Sequence, residues 1–336
     1  MSQDGDPIRR LTPVVRLAPA KLNLSLAVVG RRSDGFHDLH SVMVPLALAD
    51  RLSLAAAGGP DDTLHVDGFE TGPPAANLVL RALAASREAV GAGWGGSGGP
   101  APALAARLDK RIPVAAGLAG GSSDAAAALD GALEAWAVSL TVHERLRIAV
   151  RLGSDVPFFL ADGAGLVEGR GESVTPLRGV TGDPPGVLLV TPRVALPTPR
   201  VFAAFDAAGG VGGGSTRTSS AHLADELRAG LSAAALVDRA GVLAVANDLI
   251  GAAVAVEPEL LGLRRRLARL LGRPVGQSGS GPTLWVLYPS LVDAETAAEA
   301  VRSARMAGEL PAPGDGEPLV TATTILTRPQ PDRSDR

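Results

Sequence analysis

Alternation of apolar and polar positions is sharpest at Ala20-Lys21-Leu22-Asn23-Leu24-Ser25-Leu26. It places Leu22, Leu24 and Leu26 on one face of a half-buried strand, with Lys21, Asn23 and Ser25 on the other. The wider segment Val14 to Leu26 reads as a strand pair or a bent strand. After a turn at Arg32-Ser33-Asp34-Gly35, a second apolar stretch runs through Met43 and Leu54. Helical periodicity covers Asn77 to Val90, and Leu104 to Leu108 is a short strand. An Ala-rich helix is expected over Ser123–Val138, opened by Ser122, Ser123 and Asp124, followed by another over about 142–152. Strands at 165–167 and 187–190 flank a Pro/Gly-rich stretch, 176–186, that reads as a domain boundary. Helices at about 221–238, 258–271 and 293–307, and strands at 274–278, 283–288 and 319–326, complete the pattern. The runs 91–102 and 207–219 read as flexible glycine-rich loops, and 1–12 and 328–336 as loose tails. Strands and helices without strict alternation predict an α+β fold. The expected domains are 1–183 and 184–328, with a flexible tail at 329–336.

Composition narrows the chemistry. With 46% hydrophobic and 20% charged residues in 336, the chain can bury a sizeable core; at 3% aromatics, that core is built from Ala, Val and Leu. A net charge of −3 argues against a dedicated nucleic-acid binder. The absence of cysteine excludes disulfides, thiolate metal sites and thiol catalysis. No run approaches the ~20 apolar residues of a membrane span, and the acidic start lacks a signal-peptide pattern, so a cytoplasmic location is expected. Only Lys21 and Lys110 among 32 basic residues are lysines, and Asn23, Asn77 and Asn247 are the only asparagines, which makes each of these positions informative.

Pro113-Val114-Ala115-Ala116-Gly117-Leu118-Ala119-Gly120-Gly121-Ser122-Ser123-Asp124 is the most distinctive motif. Glycines allow close backbone approach, and the helix behind them presents free N–H groups and the positive end of its dipole, a ready anion site. The loop lacks the Gly-Lys-Ser/Thr ending of a Walker A loop and the Gly-x-Gly-x-x-Gly spacing of a dinucleotide fold. Asp124 reads either as a first-turn residue favouring the helix dipole or as a neighbour of metal or phosphate. Lys110-Arg111 reads as a phosphate contact or as a solvated strand end. The five histidines show no metal-ligand spacing.

The loop resembles the phosphate loop of the GHMP kinase family, Pro-x-x-x-Gly-Leu-x-Gly-Gly-Ser-Ser. Three further segments resemble that family in the same order: Ala18–Leu24, Leu152–Phe159 and Gln277–Thr283. The resemblance implies a two-domain GHMP-kinase-like α+β fold, with an N-terminal ribosomal-protein-S5-like domain and a C-terminal α/β-plait domain. It also implies ATP as phosphate donor and Mg²⁺ held mostly by ATP phosphates and water. Protein ligands to the metal stay unassigned, with Ser123 and Asp124 as candidates.

Within the family, Arg32–Val42 and Pro197–Phe202 resemble segments of a member that phosphorylates a tertiary hydroxyl of a small cytidine diphosphate alcohol. On this resemblance Asp155 is the catalytic base and Lys21 its electrostatic partner, with Asn23 in the substrate site. Phe36 and His37 hold the cytosine, with Phe202 on its other side. Asn77 lies on the adenine side, and Pro113, Ala115, Gly117, Leu118, Ala119, Gly120, Gly121, Ser122 and Ser123 bind ATP phosphates. Phe36 departs from the tyrosine common in that position, which keeps stacking and loses a hydroxyl. The Gly279–Gly281 loop approaches the substrate or the phosphate loop, or is a tight turn. Another small-molecule kinase of the homoserine or mevalonate type, or a catalytically silent ligand-sensing relative, is the alternative. No nucleic-acid or membrane partner is expected, and the chain is expected as a monomer or weak dimer. Asn247 receives no role.

Overall fold

Two long strands lead the chain: β1 (Val14–Arg31) and β2 (His37–Ala56). The computed structural model describes residues 11–91, 99–210, 212–314 and 316–327. Contacts divide the chain into two compact units, each made of separated segments. The first comprises Met1–Ala18, Asp50–Arg111 and Gly121–Val156; the second comprises Pro19–Ala49, Ile112–Gly120 and Pro157–Arg336. Both long strands pass from one unit into the other.

In the first unit, β3 (Thr63–Gly68) precedes α1 (Leu78–Val90) and β4 (Leu104–Lys110). Strand β4 pairs parallel with β3 and antiparallel with Arg51–Ala56 of β2. Helices α2 (Gly120–Ala135) and α3 (Val142–Leu152) follow. Helix α3 starts where Thr141 and Glu144 form a reciprocal capping box, which satisfies two otherwise unpaired N–H groups. Leu52, Leu54, Leu83, Leu104, Leu108 and Trp136 are fully buried here, and the Trp136 indole N–H donates to Pro102 O at 3.0 Å.

The second unit continues with α4 (Val156–Leu160), β5 (Gly165–Gly169), β6 (Ser173–Pro176), β7 (Val180–Thr181) and β8 (Gly186–Thr191). Next come α5 (Thr198–Ala207), α6 (Gly214–Ala229), β9 (Leu231–Ser232), α7 (Ala233–Asp238), α8 (Ala240–Leu243), α9 (Ile250–Val256) and α10 (Glu259–Leu271). The chain closes with β10 (Gly276–Gln277), β11 (Leu284–Tyr288), α11 (Leu291–Met306) and β12 (Leu319–Thr324). Strands β10, β11, β8 and β12 form an antiparallel sheet in that order. Every residue of β8 is buried, as a strand covered on both faces requires. Leu188 and Val190 pack with Ala294, Ala298 and Val301 of α11, whereas Val187 and Leu189 join Leu22, Leu24 and Val42.

Several elements differ from the pattern-based expectation. β1 is one continuous strand, and it is buried on both faces from Lys21 to Val28 rather than half-buried. Helix α2 starts at Gly120, three residues before the expected Ser123, so Ser122 and Ser123 lie inside its first turn rather than capping it, and Asp124 lies just beyond that turn. The run 207–219 is helical from Gly214 onward. The helix expected over 221–238 is broken at Gly230, whose φ of 93° lies in the left-handed region, because a residue there ends α6 and redirects the chain. Helices α4, α5, α8 and α9 lie outside the expected pattern. Residues 92–98, most of the first glycine-rich run, and the tail residues 1–10 and 328–336 lie outside the described residues.

Candidate active site

The site residues of the second unit gather around β1. The Lys21 ammonium, buried at the strand centre, donates to Asn23 Oδ1 at 2.6 Å and to the Gly117 carbonyl at 2.7 Å. Asn23 Nδ2 donates to Ser41 Oγ at 2.8 Å, and Ser41 Oγ donates to Ser25 O at 2.6 Å. Ser25 Oγ bonds Ser220 Oγ at 2.8 Å, which lies 2.9 Å from His40 Nδ1. These partners explain how a polar strand face tolerates burial, since unpaired polar groups there would be costly. Burial pushes the His40 imidazole below its ordinary range, although Glu168 pulls it upward.

The loop from Pro113 to Gly120 lies against this strand, with Lys21 N donating to Leu118 O at 3.0 Å. Gly117 has φ 80°, and a Cβ there would stand 2.3 Å from Ser278 O and 2.9 Å from the Gly281 Cα, so only glycine fits. Ser278 Oγ donates to Gly117 O at 2.9 Å. The glycine loop at 277–281 therefore approaches the phosphate loop. Ala115 and Ala119 also sit in the left-handed region, at φ 57° and 54°, which is strained for a residue with a Cβ. Ala119→Gly should raise unfolding stability by about 0.5–1 kcal/mol, read from the denaturant midpoint, because glycine relieves the strain at some entropic cost.

At the Phe36 end, the Phe202 ring stacks on the His37 ring, with centroids 4.7 Å apart and planes 22° apart. Phe205 meets His37 edge-on at 6.1 Å. Phe36 is 48% exposed and lies beneath the Arg170 guanidinium, 5.2 Å from the ring centre. His37 Nε2 is 2.7 Å from Asp206 Oδ1. Asp206 and Arg170 escaped the sequence reading. Asp206 would have been found had α5 been recognised, because Phe202, Phe205 and Asp206 follow helical i, i+3, i+4 spacing.

In the first unit, Asn77 caps α1: its Oδ1 accepts from Val79 N at 2.9 Å, while Nδ2 donates to Thr71 Oγ1 at 3.0 Å. It lines a cavity of about 400 Å³ with Leu64, Val66, Gly68, Phe69 and Glu70. Gly121, Ser122 and Ser123 form the first turn of α2. The Ser123 hydroxyl is buried without a hydrogen-bond partner among the described residues, and is thus available to a phosphate oxygen or a metal-bound water. Asp155 is half-buried in the turn between α3 and α4.

Lys110 departs from both readings considered for it, and Asp124 from its first-turn reading. Lys110 is buried and ion-paired to Asp50 and, at 2.9 Å, to Asp124. It is neither a solvated strand end nor a free phosphate contact, and Asp124 is not a cap. Burial pushes the Asp124 carboxyl up to about 7, against the pull of Lys110 and with Asp50 adding to the rise. Asp50 also accepts from Arg111 N at 2.5 Å. Among the described residues, no group of three or more His, Asp or Glu side chains is arranged to hold a metal.

The sequence profile for the GHMP kinases N terminal domain matches residues 77–163. A 4-diphosphocytidyl-2-C-methyl-D-erythritol kinase of Symbiobacterium thermophilum is 39% identical over 275 residues, which is 80% of this chain and 89% of that protein. The chain belongs to the GHMP kinases, in the 4-diphosphocytidyl-2-C-methyl-D-erythritol kinase family. A protein of that name from Pelotomaculum thermopropionicum is 34% identical over 86% of this chain and 94% of its own length. The crystal structure of a 4-(cytidine 5'-diphospho)-2C-methyl-D-erythritol kinase matches with TM-score 0.66 and 31% identity, covering 93% of this chain and 99% of that one. Homoserine kinase from Cytophaga hutchinsonii shares the fold, with TM-score 0.65 at 16% identity over 96% of this chain and 98% of its own. As a member of the GHMP kinases, the chain is an ATP-dependent small-molecule kinase with their α+β fold. No helix among the described residues is long and apolar enough to cross a membrane.

Proposed function

We propose that this kinase transfers the γ-phosphoryl group of ATP to the C2 hydroxyl of 4-diphosphocytidyl-2-C-methyl-D-erythritol, a step of the non-mevalonate isoprenoid pathway. The observation that carries this reading is the near full-length match to proteins of that name at 39% and 34% identity. Asp155 accepts the hydroxyl proton as the oxygen bonds the γ-phosphorus, and the bond to the β,γ-bridging oxygen breaks to leave ADP. Lys21 supplies positive charge to the transferring group. Its hydrogen bonds to Gly117 O and Asn23 Oδ1 support this role, because an ammonium fixed before the reaction needs no reorganisation during it. The phosphate loop and the first turn of α2 offer N–H groups to ATP, and the buried Ser123 hydroxyl fits an oxygen-rich neighbour. Mg²⁺ would be held mainly by the phosphate oxygens of ATP and by water, with the buried Ser123 hydroxyl as a protein neighbour, and would supply positive charge for the phosphates. Asn77 serves the adenine side. Phe36 offers an exposed ring face to cytosine, while His37 reads the base edge from a ring held by Phe202 and Asp206.

The test is a coupled ADP-release assay with a panel of alcohols, the product being identified by mass. Turnover of the cytidine diphosphate alcohol, with homoserine and mevalonate inert, is the expected result. Turnover of either of those two, and none of the cytidine compound, would overturn the reading.

A further inference from the structure

Asn247 lies in a short segment tied to β1 by its backbone. Leu26 N donates to Ala246 O at 2.8 Å, and Asp248 N donates to Leu26 O at 2.9 Å. The Asp248 carboxylate continues the attachment by accepting from Val28 N at 3.0 Å. From this anchored position, the buried Asn247 side chain uses all of its hydrogen-bonding groups that face the protein. Its Oδ1 accepts from Leu249 N at 2.9 Å, while Nδ2 donates to Gln277 O at 3.1 Å and to Gly279 O at 2.9 Å. One amide thus fixes two carbonyls of the glycine loop to the strand that carries Lys21.

The other side of that loop meets the catalytic machinery. A methyl group at Gly279 would stand 3.2 Å from Asn23 Oδ1 and 3.3 Å from Lys21 Nζ. One at Gly281 would stand 2.3 Å from Gly117 N, so the two loops touch backbone to backbone. Ser278 Oγ and Lys21 Nζ donate to the same acceptor, Gly117 O. Where the glycine loop sits therefore sets both the carbonyl that aims the ammonium and the wall beside it.

We propose that Asn247 is a positioning residue that holds Lys21 and the phosphate loop in their working geometry by clamping the backbone of residues 277–279. The consequence for catalysis rests on the reading of Lys21 as the electrostatic partner in phosphoryl transfer. The clamp itself does not.

Asn247→Asp separates the two halves of the side chain. It keeps the acceptor for Leu249 N and the shape, but replaces the donating amide with an oxygen opposite two carbonyls. In this variant, amides of the glycine loop and of residues 116–118 should exchange hydrogen at least ~10-fold faster, while those of β8 and β11 hold their protection. ADP release to the alcohol should fall ~10–10²-fold in kcat, with KM for the alcohol little changed, the loss expected for a misplaced charge rather than a lost binding contact. In a Lys21→Met background the same substitution should cost little more, because both changes act through one ammonium. If Asn247→Asp does not fold, Asn247→Ala is put through the same measurements.

Unchanged exchange in the two loops would overturn the clamp. Fully additive kinetic losses would overturn its action through Lys21. Faster loop exchange in the variant, alongside a wild type inert toward the cytidine diphosphate alcohol, would sustain the clamp and overturn the substrate reading; coupling to Lys21 would then be read from ATP hydrolysis with water as acceptor.

Discussion

Asp155→Asn should leave ATP affinity near that of the wild type and lower turnover of the cytidine diphosphate alcohol by ~10²–10⁴-fold, the usual worth of a general base. A tertiary hydroxyl is a weak nucleophile until its proton has somewhere to go. Asparagine matches aspartate in shape and cannot take that proton. The substitution therefore removes the proposed proton acceptor and should leave the fold of the half-buried turn between α3 and α4 intact. Single-turnover kinetics with saturating nucleotide, beside calorimetric titration of a non-hydrolysable ATP analogue, separates the chemical step from binding. Near-normal turnover would remove Asp155 as the base. A parallel loss of nucleotide affinity would assign it to ATP instead.

Lys110→Met should destabilise the protein by about 3–5 kcal/mol, because it leaves the Asp50 and Asp124 carboxylates buried without their shared cation. Urea unfolding followed by far-UV circular dichroism reads the loss. Replacing both carboxylates by asparagine in the same background should recover much of it, since the cost lies in uncompensated buried charge rather than in lost packing. The cluster also makes a pH prediction. Asp124 titrates near 7 when folded, against an ordinary carboxyl value of 3.8 when unfolded. The folded state thus holds more protons between those limits, and this group's contribution to stability declines as pH rises from about 4 to about 7. Asp124→Asn abolishes that slope: matched to wild type near pH 5, it should be the more stable of the two at pH 8. A midpoint difference that does not vary with pH would contradict the assignment.

What the sequence revealed about the site follows the range of each interaction. Lys21 and Asn23 are two residues apart on one strand, and the phosphate loop is a single continuous stretch, so local spacing exposes both. Asp50 meets Lys110 across 60 positions, and Asp206 meets His37 across 169. No periodicity links such residues, and only the folded chain brings them together. The Lys110 case shows how a rare residue can mislead. Its scarcity marks it as informative, but its place beside the phosphate loop points toward a ligand, whereas burial commits it to two carboxylates. Asn247 is the converse: a rare residue with no role legible in the sequence becomes legible once Gln277 and Gly279 are seen on its amide. The α+β class was legible because strand alternation and helical runs were both strong. Helix α5 was missed because Pro197 and Pro199 at its start resemble a break in the pattern, although proline is well tolerated in the first turn.

The interleaving of the two units has a consequence for how the chain is made. The first unit has all three of its segments once residue 156 has been synthesised. The second cannot close its four-stranded sheet until β12, ending at Thr324, leaves the ribosome to pair with β8. Strands β1 and β2 are threaded through both, so no single cut of the gene yields one complete unit without severing the other. During translation, residues 19–49 emerge early, and Pro45 and Leu46 wait for Leu326 and Ile325, about 280 positions away, so part of their pairing can form only when the chain is nearly complete.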